Sequence, residues 1–220
     1  MPAMNEQMNK SVSHFTAHVF ISQVSHWISV ILIFCLALLF GCSDDPEVDP
    51  AALQQEQEDG WASYNKGDFS AALVHFERVI DLDTTFADAH NGLGWTHLSI
   101  SHEPATSPEI LAKAQKAFEG AIRSDSSNAD AWVGLATALF LRRESAVDFE
   151  TALRAIENAL QGDPRTLFRH DYKSNADLYA LTAACYYYLG RTDLALSAIE
   201  ISLQTEPSNA TALPLQQLLK

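Results

Sequence analysis

A repeating unit of about 34 residues constrains this chain more than any other feature of its sequence. In residues 176–209, apolar residues recur at helical spacing, break at Gly190, resume and stop at Pro207. This pattern predicts two short helices, joined by a glycine-containing turn and ended by the proline. The second helix is marked by a small, a bulky and a small residue at fixed distances before the proline: Ala195, Ile199 and Ser202.

The same spacing occurs three more times. In chain order, the earlier second helices are marked by Ala72, Phe76 and Val79, then Ala114, Phe118 and Ala121, then Ala152, Ile156 and Ala159. An insertion lengthens the second unit at residues 99–110, and we expect it in an exposed loop. A longer linker, residues 165–175, lies between the third and fourth units. One helix pair cannot bury its apolar face alone, so neighbouring units stack around a shared core. We therefore predict an all-α solenoid of about four helix pairs, followed by a C-terminal capping helix.

This pattern resembles the tetratricopeptide repeat, a helix pair that assembles into a superhelix. The third and fourth units carry most of the resemblance, with Trp132, Leu135, Ala136, Leu139, Ala152, Ala159 and Pro164, and with Tyr179, Ala183, Tyr186, Gly190, Ala195 and Pro207. The second unit contributes Leu93, Gly94, Ala114, Phe118 and Ala121, and the first contributes Gly60, Gly67, Ala72 and Phe76. The resemblance covers about residues 53–220. It implies a protein–protein interaction scaffold whose first helices form a concave wall.

An apolar run at residues 28–40 precedes the repeats. It is too short to span a bilayer comfortably and suits the hydrophobic region of a signal peptide. Leu39, Phe40 and Gly41 lead into Cys42, and this order resembles the bacterial lipobox, which implies lipidation at Cys42. The predicted organisation is a lipoprotein-type signal peptide at 1–41, a flexible acidic tether at 42–52 and the solenoid at 53–220. An uncleaved N-terminal anchor is the alternative.

Either reading places the folded part in the bacterial cell envelope, on the periplasmic side and outside the cytoplasm. By analogy with proteobacterial sorting, Ser43 after the cysteine favours the outer membrane over the inner membrane. The chain carries a net charge of −14, which repels nucleic acid and argues against it as a partner. Cys185 is the one cysteine of the predicted solenoid, where we expect it to be a small buried residue.

Motifs for catalysis or metal binding are missing from the sequence. His90 and His97 lie about two helical turns apart, too far to share a metal ion without other ligands. There is no glycine-rich phosphate loop and no Gly-x-Ser-x-Gly nucleophile elbow. We therefore predict a chain that is not an enzyme, with no cofactor, no metal and no small-molecule substrate.

The candidate binding site is the inward stripe of the first helices, after their packing residues are set aside. Trp61 and Trp95 share one register, and a second row of mostly aromatic residues lies beside them. Such a groove suits a peptide partner. The predicted groove residues are Trp61, Tyr64, Asn91, Trp95, Leu98, Phe140 and Tyr187.

Modules in the family that clamp a C-terminal carboxylate use lysine and arginine on this wall. Neither residue is found in that register here, so an apolar and basic partner fits better.

Three alternatives to a peptide groove remain open. Several of the rings could instead pack against insertions or the next repeat. The chain could also be an assembly subunit that binds through its convex face or a loop, or an enzyme with catalytic residues in its loops.

Overall fold

The structure is a computed structural model that describes residues 49–101, 108–167 and 172–220. Within these ranges it contains helices and no strand. The helices are α1 (Pro50–Asn65), α2 (Phe69–Leu82), α3 (Ala87–Ser101), α4 (Pro108–Ser124), α5 (Ala129–Arg142), α6 (Ala146–Gln161), α7 (Asn175–Tyr188), α8 (Thr192–Thr205) and α9 (Ala212–Leu218).

The helices form consecutive pairs, α1–α2, α3–α4, α5–α6 and α7–α8, with α9 after the last pair. Each helix packs on its partner, and each second helix also packs on the first helix of the next unit. The buried side chains therefore form a core that runs along the array. This arrangement confirms the predicted all-α solenoid of four pairs with a C-terminal capping helix.

The two helices of the first pair, and those of the fourth, are joined by short turns that contain a glycine. Gly67 and Gly190 adopt φ angles of 77° and 69° in the short turns of the first and fourth pairs. Only glycine reaches this left-handed region without a steric penalty, so these residues permit the tight turns. The predicted glycine turn of the fourth unit is confirmed. The insertion at 99–110 differs from the prediction, because α3 extends to Ser101 and α4 begins at Pro108.

The second helices supply the residues that hold the core together. Each of the predicted small–bulky–small sets is buried, and Phe76, Phe118, Ile156 and Ile199 are at most 2% exposed. A buried side chain of this size contributes roughly 1.5–3 kcal/mol to stability. The repeat spacing thus identified the bulky core residue of every second helix.

In the first half of the array, these bulky residues are phenylalanines that press against glycines. The Phe76 ring contacts α1 at Gly60 and α3 at Gly92, and Phe118 contacts α3 at Gly94 and α5 at Gly134 in the same way. A Cβ atom at Gly60 or Gly94 would lie 2.7 or 2.6 Å from a ring carbon, and at Gly92 and Gly134 it would be closer still. Each ring therefore lies between two first helices and fixes their spacing.

Side-chain hydrogen bonds to an aspartate also join α1 to α3 and α3 to α5. The carboxylate of Asp130 on α5 accepts hydrogen bonds from Asn91 Nδ2 (2.7 Å) and Trp95 Nε1 (2.9 Å), both on α3. One unit earlier, Gln57 Nε2 and Trp61 Nε1 of α1 donate in the same way to Asp88 of α3. We call this arrangement the aspartate clamp. It satisfies polar groups that would be costly to bury unpaired.

The N-terminal assignments fall mainly outside the described residues. These include the signal peptide at 1–41, Cys42 and most of the tether. Helix α1 begins at Pro50, with the Asp49 side chain accepting a hydrogen bond from the Ala51 amide (2.9 Å), so the last residues assigned to the tether are helical. Within the described ranges, no helix is long and apolar enough to cross a membrane.

The contact between Phe118 and Gly134 should be sensitive to a single methyl group. We expect Gly134→Ala to lower the free energy of unfolding by about 1–3 kcal/mol, because the added Cβ meets the Phe118 ring. Urea denaturation measures this change. In the Phe118→Leu background, the same substitution should cost much less, since the smaller side chain leaves room for the methyl group. Equal costs in both backgrounds would contradict the contact.

The aspartate clamp predicts a second stability effect. Asp130→Ala leaves the Asn91 and Trp95 donors buried without an acceptor, and each orphaned donor costs roughly 1–3 kcal/mol. Asp130→Asn is the matched control, because it keeps an oxygen acceptor of the same shape and should cost less. Thermal and urea unfolding compare the variants. If the asparagine variant is as unstable as the alanine variant, the hydrogen bonds are not what the carboxylate contributes.

Candidate functional site

The inner wall of the array, formed by the first helices, differs between its two halves. In the N-terminal half, the aspartate clamps draw α1, α3 and α5 together and fill the space between them. Asn91, Trp95 and Leu98 are each at most 1% exposed. The prediction that these three residues contact a partner at the surface is therefore wrong. Their register is inward as predicted, but the next unit covers them.

Trp61 and Tyr64 lie at the N-terminal end of the same wall and are half-buried. The Trp61 ring packs edge-on against Phe76, with ring centroids 5.0 Å apart. The Tyr64 hydroxyl accepts a hydrogen bond from the Ser99 hydroxyl at 3.0 Å. These contacts hold both side chains in the packing between α1, α2 and α3. Their role in binding a partner stays a prediction.

The wall opens at the junction of the third and fourth units. The register that holds Trp61 and Trp95 is occupied by Thr137 on α5 and Ala184 on α7. With these small side chains there is no indole to reach the aspartate of the next unit. The backbones of α5 and α7 also lie farther apart than those of α3 and α5. A space therefore remains where the earlier junctions are filled.

The aspartate of the fourth unit, Asp177, is satisfied in another way. Its carboxylate accepts hydrogen bonds from Asn209 Nδ2 at 2.8 Å and from the backbone amide of Lys173 at 2.9 Å. The first partner precedes α9, and the second belongs to the linker before α7. The Thr137 and Tyr172 hydroxyls lie 3.0 Å apart, within hydrogen-bond distance. The linker and the cap thus replace the missing clamp and form the rims of the space.

The space consists of two adjoining cavities of about 320 and 360 Å³, which share Phe140, Ala184 and Thr211. We call them together the C-terminal groove. Two of the residues predicted to bind a partner, Phe140 and Tyr187, lie in this groove, and their role in binding stays a prediction. The remaining lining residues are Thr137, Leu141, Tyr172, Asp177, Leu181, Tyr188, Pro214, Leu215 and Leu218.

The groove is lined by aromatic rings and aliphatic side chains, with a few hydroxyls and one carboxylate, that of Asp177. The rings are tightly arranged: Tyr188 stacks on Phe149 of α6 with centroids 5.1 Å apart, and Phe140 packs edge-on against both. A preformed apolar surface with a few polar groups is typical of a binding site. Sequence reasoning missed Tyr172 and the α9 residues; the length of the linker at 165–175 was the available signal.

Cys185 of α7 is buried and is not among the residues that line the groove. Burial raises the pKa of the Cys185 thiol to about 12, so the thiol stays protonated at neutral pH and is a poor nucleophile. Within the described ranges, no three His, Cys, Asp or Glu side chains form a group that could hold a metal ion. The geometry supports binding of a ligand through apolar contact.

Comparison with known proteins agrees with this architecture. Residues 111–164 match the sequence profile of the family described as tetratricopeptide repeat. The sequence gives no significant match among curated proteins.

Solved structures extend the likeness along the chain. A crystal structure of MamA protein shares 22% identity, with a TM-score of 0.60 over 76% of this chain and 80% of that one. A structure of Pseudomonas aeruginosa pilF shares 18% identity, with a TM-score of 0.58 over 77% and 68% of the two chains. The Thermus thermophilus protein TTC0263, described as a thermophilic TPR protein, shares 17%, with a TM-score of 0.51 over 91% and 92%. At these identities the likeness concerns the fold: the chain has the all-α architecture of tetratricopeptide-repeat proteins, and its residues 111–164 match the sequence profile of that family.

Proposed function

We propose that this chain is a non-catalytic scaffold of the bacterial cell envelope, which holds a partner protein by binding one of its peptide segments in the C-terminal groove. The observation that carries the proposal is the open junction between α5 and α7. There, two adjoining cavities of about 320 and 360 Å³ replace the side chains that close the earlier junctions. Each cavity is in the range of about 300–1,000 Å³ that is usual for a ligand site.

The lining of the groove indicates which peptide fits. Phe140, Tyr187 and Leu215 offer apolar contact to two or three side chains, and aromatic residues often dominate the energy of such interfaces. Among the described residues that line the groove, Asp177 is the one that carries a charge. The chain as a whole carries a net charge of −14, so a basic residue in the peptide is attracted at long range. The preferred segment is therefore apolar or aromatic with at least one lysine or arginine.

The envelope location rests on the sequence before the repeats. The apolar run at 28–40 and the lipobox-like residues before Cys42 support a lipid anchor on the periplasmic side, with the outer membrane favoured. A lipid anchor would hold the binding groove near the membrane surface. The chain would then concentrate its partner at that surface, which is a useful function for a module without catalytic residues.

A second candidate surface lies on the convex side. Leu194, Leu196 and Ile201 of α8 are 47%, 36% and 41% exposed, although they are large and apolar. Exposed apolar groups on one helix can mark a contact site. This is the observation that favours the alternative of an assembly subunit which binds through its convex face, and the experiment below separates the two.

Substitutions at the rim of the C-terminal groove should weaken peptide binding without unfolding the chain. Peptides are first selected from a random library on the purified full chain, and their affinity is measured by calorimetry. We expect Tyr187→Ala and Thr211→Trp each to weaken the selected peptides about tenfold or more, since the first removes an aromatic contact and the second fills the cavity. Thr211 is exposed, so the larger side chain should be tolerated.

The matched control is the double variant Leu194→Ser/Ile201→Ser, which alters exposed apolar residues of α8 and leaves the groove intact. It should bind the selected peptides as the wild type does. If the α8 variant loses binding and both groove variants keep it, the convex face is the binding surface and the groove assignment is wrong. Circular dichroism confirms that every variant remains helical.

Lipidation is tested separately in a bacterial host with lipoprotein-processing enzymes. We expect the wild-type chain to incorporate a labelled fatty acid and to sediment with membranes, and Cys42→Ser to lose the label. Cys35→Ser should keep it, because that residue lies within the apolar run. Equal labelling of the Cys42→Ser variant and the wild type would contradict the anchor.

A further inference from the structure

A third cavity, of about 390 Å³, lies between α2, α3 and α4, away from the C-terminal groove. Its polar lining residues come from all three helices: Glu77 from α2, His90 and His97 from α3, and Lys113, Lys116 and Arg123 from α4. We call it the cationic pocket. Ile80, Leu93 and Ala117 provide its apolar lining.

The charge of the pocket is opposite to that of the chain. Acidic residues outnumber basic ones two to one in the sequence, yet three permanent cations face one carboxylate here. Elsewhere Arg78, Arg142, Arg165 and Arg191 form ion pairs with carboxylates. In contrast, no carboxylate of the described residues lies within salt-bridge distance of the three α4 cations of the pocket. The pocket therefore has an excess of about two positive charges.

The two histidines add hydrogen-bonding groups to the pocket. Burial, together with the nearby positive charge of Lys113, lowers the pKa of His97 to about 4, so its ring is neutral at pH 7. The Nε2 atom of His90 lies 2.9 Å from the Thr84 carbonyl oxygen, to which it donates, and this bond holds the ring at the pocket. Neutral imidazole offers both a donor and an acceptor.

We infer that the cationic pocket binds a phosphate monoester, whose doubly charged head group is held by Lys113 and Lys116. Arg123 follows Lys113 by ten residues on α4, about 15 Å along the helix, and adds to the positive potential from the other end of the pocket. A monoester carries about −1.5 to −2 charges at pH 7, which matches the excess of the pocket, whereas a single carboxylate would leave one cation unbalanced. Lysine and arginine are the usual phosphate-binding side chains. The apolar residues of the pocket can contact the organic part of the ester.

The test uses the full chain and two probes of similar shape, phenyl phosphate and benzoate. Calorimetry should show saturable binding of phenyl phosphate and weaker binding of benzoate. We expect Lys113→Gln/Lys116→Gln to weaken phenyl phosphate binding about tenfold or more, because two charge-assisted contacts are lost. Both lysines are exposed, so the fold should persist. Lys66→Gln/Lys173→Gln, which removes two exposed lysines elsewhere, is the control and should bind as the wild type does.

A spectroscopic readout separates occupation of the pocket from general charge attraction. The pocket presents Glu77, His90, Lys113, Lys116 and Arg123 around His97, so an added dianion should raise the pKa of His97. NMR titration of the His97 ring with and without phenyl phosphate measures this change. Lys116→Gln alone gives a second variant if the double lysine variant does not fold. An unchanged His97 pKa at saturating probe would overturn the assignment.

The source of the phosphate is distinguished with vesicles. Binding of phenyl phosphate that depends on Lys113 and Lys116 identifies a soluble ester as sufficient. Binding only to phosphatidylcholine vesicles that contain phosphatidic acid, lost in the double lysine variant, identifies a lipid head group as the source. If neither probe depends on these lysines, or if an acidic peptide binds there and phosphate does not, the proposal is wrong.

Discussion

The spacing of the inner helices depends on the close contact between an aromatic ring and the glycines of two neighbouring units. Phe118 of α4 lies against Gly94 of α3 and Gly134 of α5, so one side chain sets the distance within its own unit and to the next. At that distance, Trp95 reaches the carboxylate of Asp130 across the junction. The apolar contact and the polar clamp thus need the same helix spacing, and each supports the geometry of the other.

The second half of the array lacks both devices. Ile156 and Ile199 replace the phenylalanines, and the register of the two tryptophans holds Thr137 and Ala184. These branched aliphatic side chains are still buried in the core and hold the second helices against their neighbours, so the solenoid continues. Without the indole, however, no side chain of the described residues fills the space between α5 and α7. The division into a closed and an open half therefore follows from changes at a few repeated positions.

Sequence spacing was sufficient to predict the fold because solenoid packing is local and periodic. The positions of Phe76, Phe118, Ile156 and Ile199 in the core follow from their distance to the end of each unit. The same reasoning failed for Asn91, Trp95 and Leu98, because a register shows which way a side chain points and not what the next unit places over it. The repeat spacing did not identify Tyr172 and Thr211, since the linker and the segment before α9 lie outside the repeat.

The segment before α9 also shows how the end of the array determines the groove. The Asn209 side chain is 2% exposed; its Nδ2 donates to Asp177, and its Oδ1 accepts from the backbone amides of Thr211 and Ala212. One buried amide therefore joins α7 to the start of α9 and satisfies the aspartate that has no tryptophan partner. Because Pro214, Leu215 and Leu218 line the groove, this bond fixes one wall of the binding surface. The groove exists where the repeat pattern ends and a non-repeated asparagine takes over the role of the clamp.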